Sequence, residues 1–197
     1  MPLCVRRSAW ALIVAAIAAL SPVSSLGDGG VREYLDETTA ATIVVASEPL
    51  VFARERTELA VNARDYVSLV PVEINRAGAR TCYWFAYVWS TIDRRGINDP
   101  LVNTGDEFVL MADGRPIRLA RDTRTLRELG IARAPMRWPA RNAVPLLFPA
   151  ETEIVAYVGG ATEVSVHRVR GGTEAAFELW ADARRALREF VDHVGQR

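Results

Sequence analysis

Between Ala40 and about Asp122, apolar side chains recur at every second position or in short unbroken runs, the pattern of strands. Ala41 to Ala46 is a β-branched run, and Pro49 closes it before a second run from Leu50 to Ala53. From Asp65 to Asn75, Tyr66, Ser68, Val70 and Val72 alternate with Val67, Leu69, Pro71 and Glu73, which predicts a strand. Pro71 marks an edge position or a bulge in it. Arg76 to Arg80 reads as a hairpin loop with Gly78 in the left-handed conformation. Thr81 to Ile92 gives the strongest strand signal, and a loop from Asp93 to Asp106 follows it. Glu107 to Ala112 and Arg115 to Ala120 then form a hairpin about Asp113-Gly114.

The pattern changes in the second half. Thr123 to Ala132 predicts a short helix with Thr123 as cap, Leu126 and Leu129 on one face, and Gly130 near its end. Pro135, Pro139, Pro145 and Pro149 then crowd into one extended connector without regular structure. Glu151 to Val158 fits either period, and Pro149 before it favours a short helix. Val164 to Arg170 and Ala175 to Trp180 flank Gly171-Gly172 as a hairpin. With Asp182 as its cap, a helix follows in which Ala183, Ala186, Leu187, Phe190, Val191 and Val194 form one stripe, with Arg184, Arg185, Arg188, Glu189 and Asp192 turned away. That stripe needs a surface to cover, most simply a sheet. The expected fold class is α+β, a mainly antiparallel sheet, sandwich-like in its N-terminal part, with a short middle helix and a C-terminal amphipathic helix.

The start of the chain reads as an address. Arg6 and Arg7 precede an apolar run from Ala9 to Leu20, and Ser25 and Gly27 stand at −3 and −1 of a cleavage site, the pattern of a secretory signal over residues 1–27. The apolar run has 12 residues, short of the roughly 20 that a spanning helix needs. The expected mature chain is one α+β domain over residues 28–197. It divides into a β-rich part (28–122), an Arg/Pro-rich connector (123–149) and an α+β part (150–197). Its destination is the periplasm or the exterior, with no transmembrane segment. Cys4 would leave with the signal. Cys82 would remain as a lone thiol, either buried and inert or paired with another chain.

Charge sharpens the picture. The full chain carries 24 basic and 24 acidic residues, and every basic one is arginine. Without lysine there is no Schiff base, phosphate-loop lysine or lysine nucleophile. Zero net charge removes whole-molecule attraction to nucleic acid or to an anionic membrane, but leaves room for a local basic surface. Loss of Arg6 and Arg7 would bring the chain to −2. From Arg115 to Arg141, eight arginines stand against only Asp122 and Glu128, a segment of +6 that leaves −8 for the rest.

Two features are candidate sites. In the aromatic strand, Tyr83, Phe85, Tyr87 and Trp89 share one face, which would stack sugar rings or bases or seat an apolar partner if exposed. The same run suits a central strand buried on both sides. In the basic segment, Arg115, Arg118, Arg121, Arg124 and Arg127 are spaced by three, which gives one compact face on neither a strand nor a helix. These guanidinium groups either dock an anionic surface or pair with acids elsewhere in the chain.

Catalytic signatures are thin. His167 and His193 are the only histidines; no Cys/His spacing suits zinc, and no nucleophile elbow or phosphate loop is present. The residue types present include a Cys82–His167 dyad and a glycosidase-like carboxylate pair, but no spacing brings either together. No metal and no cofactor are expected. The function expected is a non-enzymatic exported domain that binds a protein or an anionic envelope component. The alternative is a small exported hydrolase whose acid/base pair the sequence does not locate.

Overall fold

The computed structural model describes residues 30–94 and 97–197. The predicted export signal and Gly96 of the predicted loop lie outside the described residues. The strands are β1 (Val31–Asp36), β2 (Ala41–Ala46), β3 (Leu50–Glu55), β4 (Arg64–Arg76), β5 (Ala79–Ser90), β6 (Glu107–Ala112), β7 (Arg115–Leu119) and β8 (Val144–Ala150). After them come α1 (Thr152–Gly160), β9 (Val164–Arg170), β10 (Thr173–Ala181) and α2 (Arg184–Gly195). All ten strands belong to one antiparallel sheet, so the α+β class holds.

β4 organises the sheet. One side of it pairs with β5 along its whole described length, from Asp65 opposite Ser90 to Arg76 opposite Ala79. Its other side is shared: β2 takes Val72 to Arg76, and β3 takes Arg64 to Leu69. From β2 the sheet continues to β1, and from β3 through β10 and β9 to β6 and β7. β8 closes the other edge against β5. Pro71 is therefore neither at an edge nor in a bulge. It lies opposite Trp84 in an unbroken β4–β5 register, at the step where β4 changes neighbour from β2 to β3. That step is the one stretch of β4 without a partner on that side, where a missing N–H is best tolerated.

The expected sandwich is one sheet folded over itself. Phe108 of β6 meets Phe148 of β8 at 5.8 Å between ring centroids, although those strands are not hydrogen-bonded neighbours. Trp84, opposite Phe148 in the register, shares that inner face and is fully buried, as is Phe177 of β10. α2 lies against β1, β2 and β4 and buries Ala186, Leu187, Phe190 and Val194, as its stripe required. Of these, Leu187, Phe190 and Val194 each stabilise by about 1.5–3 kcal/mol when buried. Arg188 donates to the Gly159 carbonyl at 2.6 Å, and Arg184 to those of Ala161 and Thr162 at 2.5 and 2.6 Å. These guanidinium groups satisfy carbonyls at the end of α1, where a helix leaves acceptors without partners.

Four local expectations change. Glu151 to Val158 is helical, as favoured, but Pro149 belongs to β8 and Glu151 is the cap. Asp182 lies one residue before the cap of α2 and accepts the Arg184 amide at 3.0 Å. The predicted helix from Thr123 to Ala132 is a single turn. Thr125 and Glu128 form a capping box at its start, with Thr125 N and Oγ1 at 2.7 and 2.8 Å from Glu128 Oε2. At its end, Ile131 N reaches the Leu126 carbonyl and Gly130 N the Arg127 carbonyl, with Gly130 at φ +91°. That is a Schellman closure after one turn. Finally, the proline-rich stretch contains β8. Pro145 and Pro149 fit there because β8 is an edge strand, and both are exposed.

Candidate functional site

The aromatic strand and the arginine segment, separate in sequence, are packed on each other. Along β5, Tyr83, Phe85, Tyr87 and Trp89 lie opposite Val72, Val70, Ser68 and Tyr66 of β4 and share one face with them. Residues 121–143 cross that face as a cover. Arg124 Nη2 donates to the Tyr83 hydroxyl at 2.9 Å, and the Tyr87 hydroxyl donates to the Met136 carbonyl at 3.3 Å. The Trp138 ring lies 5.0 Å from that of Tyr87. The cover is pinned at β1: Ala132 N donates to Asp36 at 2.7 Å and Arg32 to the Pro135 carbonyl at 2.6 Å. Thr39 Oγ1 donates to the Gly130 carbonyl at 2.6 Å.

Tyr83, Phe85 and Tyr87 are consequently core. Burial pushes the Tyr87 phenol up to about 12. Trp89 is half-buried and stacks on Tyr66 at 5.1 Å. With Tyr87, Met136, Arg32 and Arg137, it lines a recess of about 420 Å³ at the edge of the cover.

Among the described residues, the arginines of the segment do not pair with acids outside it. Arg124 holds Asp122 two residues away, with Nη2 at 2.6 Å from Oδ2. The other seven arginines between Arg115 and Arg141 have no carboxylate partner among the described residues. Arg115 instead lies over the Tyr157 ring at 5.0 Å. Arg118 is exposed on β7. Arg121, Arg124 and Arg127, which no regular element would gather, are brought together by the loop and the single turn around a groove of about 620 Å³. Leu126, Ile131, Pro145, Leu146 and Leu147 supply its apolar part. Trp138, half exposed at 52%, adds an aromatic ring to the outer surface of the cover.

A second group of arginines escaped the sequence reading. At one end of the folded sheet, Arg56, Arg94, Arg168 and Arg170 converge on Asp65, Asp99 and Asp106. Asp65 is fully buried and takes Arg56 Nη1 at 2.6 Å and Arg94 Nη2 at 2.7 Å. Asp99 takes Arg56 at 2.8 Å and Arg170 at 2.8 Å, and Asp106 takes Arg170 Nε at 2.6 Å. Arg168, 4% exposed, donates to the Leu101 carbonyl at 2.8 Å and leaves its Nε without a partner. Burial works against ionisation of Asp99 and Asp106. The hydrogen bonds and charges of Arg56, Arg94 and Arg170 outweigh it and hold both carboxyls below the usual range. The only sequence signal was a strand ending in two arginines with one valine between them.

Among the described residues, no three His, Cys, Asp or Glu side chains cluster to hold a metal. Cys82 is half-buried, and burial together with the Glu73 carboxylate pushes its thiol up to about 12, far from a nucleophilic thiolate. His167 bonds other partners. Its Nε2 lies 3.1 Å from Ser165 Oγ, and its Nδ1 contacts Glu174, so Ser165, His167 and Glu174 are connected in the order of a catalytic triad. Ser165 and His167 also line a recess of about 610 Å³ with Glu163 and Glu178.

No family model, curated protein or solved structure matches this chain. Its chemistry therefore rests on geometry alone. The arginine cover can hold anions at any ordinary pH through fixed guanidinium charge. In the buried cluster three carboxylates already hold three of the four guanidinium groups, Arg56, Arg94 and Arg170. The Ser165 group has a nucleophile and a base but lies on β9, paired on both sides by β6 and β10. Its own backbone amide therefore belongs to the sheet, whereas acyl transfer needs free donors aimed at the developing oxyanion.

Proposed function

We propose that this chain is an exported, non-enzymatic accessory domain that docks on a phosphate-bearing lipid surface of the envelope through the cover, residues 121–143. The observation that carries this reading is the set of unneutralised guanidinium groups in a chain whose other arginines mostly hold carboxylates or carbonyls. An arginine near an anionic leaflet contributes about 1 kcal/mol, so three or four acting together give reversible attachment of about 3–4 kcal/mol. Trp138 supplies an interfacial ring beside them. Among the described residues no helix is long and apolar enough to cross a membrane.

Co-sedimentation with vesicles tests the reading. Vesicles containing anionic phospholipid should retain the protein, with retention falling as salt rises, and zwitterionic vesicles should not. Equal retention on both, or none on either, overturns it; capture by an envelope protein without lipid points to a protein partner instead. Export is tested at the mature N-terminus by mass spectrometry, where Asp28 is expected and an intact Met1 contradicts it.

The Ser165–His167–Glu174 geometry favours a second reading, a small hydrolase. The acidic surroundings of Glu163 and Glu178 oppose a developing negative charge, and the strand-bound amide supplies no oxyanion donor. A fluorophosphonate probe separates the two: covalent label on Ser165, lost in His167→Ala, would establish the hydrolase, and an unlabelled protein removes it.

A further inference from the structure

Resting on the lipid-surface reading, we propose that the groove between Arg121 and Arg127 clasps one phosphate head group, with the apolar part of the same molecule lying along Leu126 and Leu147. Two guanidinium groups at this groove have no acceptor among the described residues, Arg121 and Arg127. The third, Arg124, is fixed in the wall. Its Nε and Nη2 hold both oxygens of Asp122 at 2.6–3.1 Å, and its Nη2 also reaches the Tyr83 hydroxyl. Asp122 is the one carboxylate lining the groove, and Arg124 neutralises it, so it does not repel an anion. The positive field inside is set by two free cations, and a phosphate monoester, with nearly two negative charges at neutral pH, matches them. A single carboxylate satisfies one of them and leaves the other open.

The rest of the groove selects against a bare ion. Leu126, Ile131, Pro145, Leu146 and Leu147 make its other side apolar, and its volume of about 620 Å³ is several times what phosphate fills. Small-molecule sites fall in the range of roughly 300–1,000 Å³ and combine an apolar lining with a few placed polar groups. The chemistry that fits both halves is an amphiphile, a phosphate monoester joined to an apolar chain.

Dihexanoyl phosphatidate, short enough to stay monomeric in solution, is the probe, read by isothermal titration against the full chain. Saturable binding is expected, at least tenfold weaker for inorganic phosphate and for dihexanoyl phosphatidylcholine. Arg121→Gln/Arg127→Gln should weaken it at least tenfold with an unchanged Tm. No saturable binding, binding undiminished in the double variant, or inorganic phosphate bound as tightly would each overturn the clasp. Vesicle co-sedimentation run alongside tells the two failures apart. Vesicle retention without binding of the short lipid sinks the groove and leaves the surface reading; loss of both sinks both.

Discussion

Two sets of arginines share this molecule and do opposite things with the same side chain. Arg56, Arg94 and Arg170 are locked onto Asp65, Asp99 and Asp106 at the end of the folded sheet, mostly out of water. Arg121, Arg127, Arg133, Arg137 and Arg141 stand on the cover, exposed and without carboxylates. The difference lies in what surrounds them. A buried charge is tolerated only when paired and hydrogen-bonded, so the first set is committed to structure. An exposed charge needs no internal partner, so the second set is free to meet something outside.

The largest expected effect breaks the first set. Asp65→Asn keeps the shape but strands two guanidinium groups, and it should lower unfolding stability by about 3–5 kcal/mol, read from urea midpoints. A loss under 1 kcal/mol would mean that water reaches the cluster. Gly130→Ala probes how the cover is held. At φ +91° a side chain is strained, and the closure after one turn should weaken by about 1–2 kcal/mol.

On the cover itself, each arginine removed among Arg121, Arg127, Arg133 and Arg137 should lower vesicle partitioning about fivefold, the equivalent of ~1 kcal/mol. The same substitutions are the smallest effect of all on stability, within about 0.5 kcal/mol.

Acid sharpens the contrast further. Asp99 and Asp106 are held below the usual carboxylate range in the folded protein, so their contribution is present above about pH 4, the unfolded value. It is lost as pH falls through the depressed folded values. Urea midpoints should therefore drop as pH goes below about 4, and Arg170→Gln should flatten that drop. Vesicle binding by the cover should not follow the same curve, because guanidinium groups do not titrate there.

How much of this was legible depended on whether a signal was local. Period-two runs gave β2 to β7, and Asp113-Gly114, with φ +45° and +76°, gave a two-residue turn. The stripe from Ala183 to Val194 gave α2. β8 was hidden because Pro145 and Pro149 read as breakers, and only the sheet shows that the strand is at an edge. β1 was hidden because charge and apolar side chains mix on an exposed edge, with Arg32 and Leu35 both in water. The site was half visible. The aromatic strand and the arginine run were each noticed, but that one covers the other follows from pairings such as Arg124 with Tyr83, 41 residues apart. The buried arginine–aspartate cluster left only the Arg168-Val169-Arg170 strand end as a local trace, since its members come from β4, β9 and two connecting loops.

Hydrogen exchange read by mass spectrometry, with and without anionic vesicles, tests the central claim most directly. The account predicts added protection over residues 121–143, with the ends of β4 and β9 near Asp65 and Arg170 unchanged. Protection confined to the recess beside Ser165 and His167, or none on the cover while the protein sediments with vesicles, would contradict it.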